Sequence, residues 1–74
     1  NNFLAGENIV VVGALRGLAH AGAKGNKEAI IAAEIIESPQ LRISNIVKER
    51  EKEEIEAQKA TYAYVNAKEE IITE

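Results

Sequence analysis

One histidine, His20, sits between Ala19 and Ala21 in a chain of 74 residues that holds no cysteine and no aspartate. An imidazole titrates near neutrality, so His20 is the residue type for a general base. No Ser–His–acid set of credible spacing surrounds it, and the simpler reading is a turn or surface histidine. The run Gly17-Leu18-Ala19-His20-Ala21-Gly22-Ala23-Lys24-Gly25 has the density of small residues that a phosphate loop needs. Such a loop also requires lysine directly after its second glycine and then a hydroxyl for the metal. Here Ala23 intervenes and Gly25 follows Lys24, so no nucleotide site is expected. Carboxylates gather from Glu49 to Glu56, but Lys52 and Arg50 interleave with them, which describes a solvated face rather than a cation site. No catalytic residue, cofactor or metal is expected.

The composition narrows the classes further. At 46% hydrophobic and 28% charged, the chain is one small domain or part of a larger one. A chain of this size buries only about 60% of its unfolded surface. No apolar run approaches the ~20 residues of a membrane-spanning helix. The net charge of −3 argues against nucleic acid or anionic lipid as the main partner. The absence of cysteine fits a reducing compartment.

The elements that would position any surface divide into two halves. Residues 1–47 carry Arg16, Lys24, Lys27 and Arg42 against Glu7, Glu28, Glu34 and Glu37, so the whole −3 lies in residues 48–74. All five glycines, Gly6 to Gly25, fall in the first part. Ile9 to Val12 reads as a buried strand ending at Gly13. Glycines this dense disfavour a helix and suit tight corners, with Gly22 and Gly25 at one of them. Short strands between frequent corners describe a wound coil of sheet, since no Asn-Gly or Asp-Gly pair marks a two-residue hairpin. Ala29 to Ile36 is ambiguous, because Asn26 could cap a helix while Ala and Ile alternate as a strand would; propensity leans towards helix. Leu41 to Val47 reads as one strand. Residues 48–60 read as a solvated helix or spacer, and Thr61 to Thr73 as a closing hairpin.

One resemblance is specific. Ala5-Gly6-Glu7-Asn8-Ile9-Val10-Val11-Val12-Gly13-Ala14-Leu15-Arg16-Gly17-Leu18-Ala19-His20-Ala21-Gly22-Ala23-Lys24-Gly25-Asn26 closely resembles the C-terminal domain of the MinC septum site-determining proteins. The likeness continues through Lys27 to Ala33 and Gln40 to Ser44, and loosens in the tail from Tyr64 to Ile72. It implies a mainly β fold, a right-handed triangular β-helix, and therefore strand rather than helix from Ala29 to Ile36. On this reading residues 1–47 are the last turns of the coil, 48–60 a charged linker or helix, and 61–74 closing strands. The resemblance also implies a cytoplasmic, non-enzymatic module of a division inhibitor. Such a module forms a homodimer, binds MinD, reaches the membrane only through MinD, and helps block FtsZ assembly away from midcell. The family's Arg-Ser-Gly-Gln segment, tied to MinD recognition, does not occur in these 74 residues, nor do the first turns of the coil.

Two surfaces follow as expectations. Arg16, Gly17, Leu18 and His20 match the family's turn and are the candidate partner surface. Tyr62, Tyr64, Ile71 and Ile72 supply apolar area that one hairpin cannot bury, and are the candidate dimer surface. Two rivals stand beside this reading. Hexapeptide-repeat acyltransferases use a histidine on a β-helix, and Val12, Leu18, Ile30 and Ile36 keep the six-residue beat that Lys24 breaks. A polymer-forming β-helix scaffold is the other.

Overall fold

The computed structural model describes residues 2–74. Its strands are β1 (Phe3–Leu4), β2 (Ile9–Leu15), β3 (Ala19–Ala21), β4 (Ile31–Ile36), β5 (Gln40–Ile43), β6 (Ile46–Glu49), β7 (Tyr62–Val65) and β8 (Ile71–Thr73), with one helix, α1 (Lys52–Ala57), before β7. The first four strands go alternately to two sheets. Sheet A has the order β1-β3-β5-β6 and sheet B the order β2-β4-β7-β8. The molecule is mainly β with one short helix.

Within each sheet the early pairings are parallel. Phe3, Ala19 and Leu41 stand in line across sheet A, and Ile9 faces Ile31 in sheet B. Parallel neighbours cannot be joined by a tight hairpin, and here the connecting chain passes through the other sheet. The last pairings are antiparallel: β5 with β6, β4 with β7, and β7 with β8. The core lies between the sheets, where Leu15, Ile31, Ile36, Leu41 and Ile43 are fully buried. Ala19 and Ala21 line the same interior from β3, small side chains set beside the large Leu41 and Ile43. Each large aliphatic residue removed from water contributes about 1.5–3 kcal/mol.

Four features differ from the reading of the residues alone. Propensity favours a helix from Ala29 to Ile36, but Ile31–Ile36 is strand. Its ladder with β2 and the burial of Ile31 and Ile36 outweigh a few tenths of a kcal/mol per residue of helix preference. Ile9 to Val12 is not buried as a run. Ile9 is inside and Val11 half-buried, while Val10 and Val12 face out, because sheet B is covered on one side only. Leu41 to Val47 folds back on itself as a hairpin, with Ser44 and Asn45 between the paired Ile43 and Ile46. Ser44 supplies the left-handed backbone (φ 58°) that glycine usually supplies in such turns, and its N–H donates to the Ala21 carbonyl at 2.9 Å. The charged stretch is helical only over Lys52–Ala57, since Lys48 and Glu49 belong to β6.

Two local devices hold the strands in place. At Gly22 (φ 58°) the chain turns so tightly that an added Cβ would collide with the Asn26 carbonyl oxygen. Arg50, 5% exposed, closes the far end by donating from one guanidinium nitrogen to the carbonyls of Ile36 (3.0 Å) and Ser38 (3.2 Å). Burial holds the Arg50 guanidinium below its ordinary pKa, opposed by the Glu54 carboxylate.

Candidate interaction surfaces

The outer face of sheet A is assembled by register. Ala19 and Ala21 point inward, so His20 between them points out. It stands in a cross-strand row with Leu4 on β1, Arg42 on β5 and Val47 on β6. Leu4 is 75% exposed, Leu18 44% and Val47 46%, values high for apolar side chains grouped on one face. The His20 Nε2 lies 2.8 Å from the Ser44 carbonyl oxygen, to which Arg42 Nε also donates at 3.3 Å. A carbonyl only accepts, so the His20 proton is on Nε2. One main-chain oxygen in the β5–β6 turn thus orients both donors. Beside them is a hollow of about 230 Å³, walled by Phe3, Leu4 and Leu18 and edged by His20, Gln40 and Arg42.

Of the expected partner surface, Leu18 and His20 meet in this hollow. Arg16 and Gly17 border a neighbouring one of about 370 Å³, and Phe3 lines both. Arg16 is 78% exposed and its Nε lies 2.9 Å from Glu37 Oε1. An exposed pair of this kind is worth at most about 1 kcal/mol, so Arg16 remains available to a partner. Leu4, Arg42 and Val47 were not singled out in the sequence. The signal that finds them is the pairing of strands far apart in the chain, which composition does not carry.

The outer face of sheet B is more apolar. Val10 and Val12 are 71% and 95% exposed, and Val10, Ala32 and Tyr62 stand side by side across β2, β4 and β7. Tyr62 and Tyr64 share the face with ring centroids 5.4 Å apart, and Tyr64 pairs across with Ile72. Partial burial first, and the Glu74 carboxylate second, hold the Tyr64 phenol above its ordinary pKa. Three of the four residues expected on the dimer surface are therefore together. Ile71 is not among them: it is 4% exposed and packs in the core, because alternation along β8 sends it to the face opposite Ile72. Val10 and Val12 complete the patch and were missed, since a β-branched run reads equally well as buried on both sides.

Among the described residues there is no group of three or more His, Cys, Asp or Glu side chains able to hold a metal. What both faces offer is apolar area with a few fixed polar groups, the chemistry of protein contact. The family model for "Septum formation inhibitor MinC, C-terminal domain" matches residues 2–74. The chain belongs to this family. It is 46% identical over 72 residues to the probable septum site-determining protein MinC of Bacillus cytotoxicus, a match covering 96% of this chain and 32% of that protein. It is 44% identical over 77 residues to the counterpart from Geobacillus thermodenitrificans, covering 96% of this chain and again 32% of the relative. The chain thus spans about a third of the length of these curated relatives. Among solved structures it is similar to a chain of the MinC:MinD cell division protein complex of Aquifex aeolicus. That likeness has a TM-score of 0.88 at 32% identity, over 99% of this chain and 60% of that one. The resemblance read from Ala5 to Asn26 is borne out across the whole chain, and these relatives are named as regulators of the division site, not as enzymes.

Proposed function

We propose that this chain is the partner-binding module of a MinC-type division inhibitor: a right-handed β-helix that dimerises, binds MinD, and helps keep FtsZ from assembling away from midcell. The observation that carries the reading is the likeness to the Aquifex MinC:MinD complex over nearly the whole chain. The alternation of the early strands between two sheets, with parallel registers inside each, supports the β-helix. Sheet A's outer face is the MinD surface, with Leu18, His20, Leu4 and Arg42 around its hollow and Arg16 and Gly17 at its margin. Sheet B's outer face is the dimer surface, centred on Val10, Val12, Tyr62, Tyr64 and Ile72. The module works in the cytoplasm and reaches the membrane through MinD; among the described residues no helix is long and apolar enough to cross one. His20 is a positioned surface donor, its Nε2 proton given to the Ser44 carbonyl.

Purified MinD with ATP and lipid vesicles tests the reading. The unsubstituted chain copellets with MinD, and Leu18→Asp loses at least about tenfold in affinity, which corresponds to about 1.4 kcal/mol. Equal copelleting of both proteins defeats the assignment of sheet A. The FtsZ half is read by light scattering of FtsZ polymers with the full-length inhibitor carrying the same substitution.

A further inference from the structure

On the outer face of sheet A one cation has no counter-ion. Arg42 is exposed there on β5, whose Leu41 and Ile43 point inward. The ion pairs among the described residues are Arg16 with Glu37 and Lys27 with Glu69, and Arg42 is in neither. Its Nε donates to the Ser44 carbonyl, a neutral acceptor that also takes the His20 Nε2 proton. That bond ties down one side of the guanidinium and leaves its two terminal nitrogens as a fork, the geometry that suits a carboxylate. The carboxylate nearest to it by register is Glu49 on β6, two residues beyond Val47. Glu49 accepts instead from its own cross-strand neighbour, Gln40 Nε2, at 3.2 Å.

Position makes the missing counter-ion matter. Arg42 is the third member of the row Leu4, His20, Arg42 and Val47, and β3 and β5 each have a paired strand on both sides. Leu4 at one end of the row and Val47 at the other are its exposed apolar residues. A partner that covers both ends also covers the guanidinium between them. A charge taken out of water without a partner opposes docking, whereas a paired and hydrogen-bonded one does not. The Ser44 carbonyl carries no charge to offset it. Docking on this face therefore calls for an anion at one point. An apolar side chain fits the hollow walled by Phe3, Leu4 and Leu18, and a carboxylate fits the fork at its edge.

We propose that the docking segment of the partner brings a carboxylate to the terminal nitrogens of Arg42, next to an apolar side chain seated in the hollow. The inference rests on sheet A's outer face being the MinD surface. The test is copelleting with MinD, ATP and lipid vesicles over a series of potassium chloride concentrations. The proteins compared are the unsubstituted chain, Arg42→Gln, Glu49→Gln and Leu18→Asp. The expected result is that Arg42→Gln loses at least about tenfold in affinity and most of the salt dependence, while Glu49→Gln does not weaken binding. Full affinity in Arg42→Gln with a loss in Leu18→Asp overturns the carboxylate and leaves the face assigned. Full affinity in both overturns the face and the carboxylate together. Weakening by Glu49→Gln also overturns the proposal, because the counter-ion then lies within the chain. So does pelleting of the unsubstituted chain on vesicles without MinD that Arg42→Gln abolishes, which makes lipid phosphate the anion. Should Arg42→Gln lose its cooperative melt, Arg42→Met keeps the apolar stem without the charge, and is judged by the same two readouts.

Discussion

At Gly22 the demand on the residue is steric and absolute. Its φ is positive and the Asn26 carbonyl fills the space a Cβ would take, so Gly22→Ala is expected to cost about 3 kcal/mol in chemical denaturation. Gly25 has φ 101° with open space around it, so Gly25→Ala should cost only about 1 kcal/mol. Equal losses at the two positions would show that φ alone, and not the Asn26 carbonyl, sets the penalty. Both glycines were recognisable as corner residues from their density in the sequence. Arg50 was not, because an arginine in a run of alternating charge looks solvated. Only the fold shows that its guanidinium serves the carbonyls of Ile36 and Ser38 from inside. Arg50→Ala should therefore lower stability by about 2–3 kcal/mol. Substitution of the exposed Lys52 on α1 should change stability by less than about 0.5 kcal/mol.

At the scale of elements, what was legible is whatever depends on local chemistry. The glycine corners, a strand beginning at Ile9 and the closing hairpin follow from residue type and spacing, although that strand runs through Gly13 to Leu15 instead of ending at Gly13. What was illegible depends on partners distant in the chain. Whether Val10 faces in or out is decided by which side of sheet B other strands cover, and the turn at Ser44 is made by a bond to Ala21. The same holds for the candidate partner surface: Leu18 and His20 could be named from the motif, while Leu4 and Arg42 join them only through register. The turn carries a prediction of its own. Ser44→Gly keeps the left-handed backbone and should leave stability within about 0.5 kcal/mol, whereas Ser44→Val, β-branched at positive φ, should cost more than about 1 kcal/mol. If the valine variant melts with the parent, the β5–β6 turn does not hold Ser44 in the left-handed region.

For the whole molecule, the proposed dimer rests on the apolar face left open on sheet B. We expect sedimentation equilibrium at micromolar concentration to give a dimer for the unsubstituted chain and a folded monomer for Val12→Asp; a monomer in both cases removes sheet B's face from the interface. The pairing of β7 has another consequence, for folding. Tyr62–Val65 lies between β4 and β8, so the open side of Ile31–Ile36 waits for a strand made only after α1. Until β7 pairs, β4 presents a bare edge over the interior that Ala60, Ala63 and Ile71 help to fill. A chain in which β7 has not yet paired holds its parallel strands without their lid, and non-local pairing of this kind is slow to form and exposed to misassembly. The pairing of β7 with β4, rather than the formation of any earlier strand, is then the step that closes this domain against its neighbours.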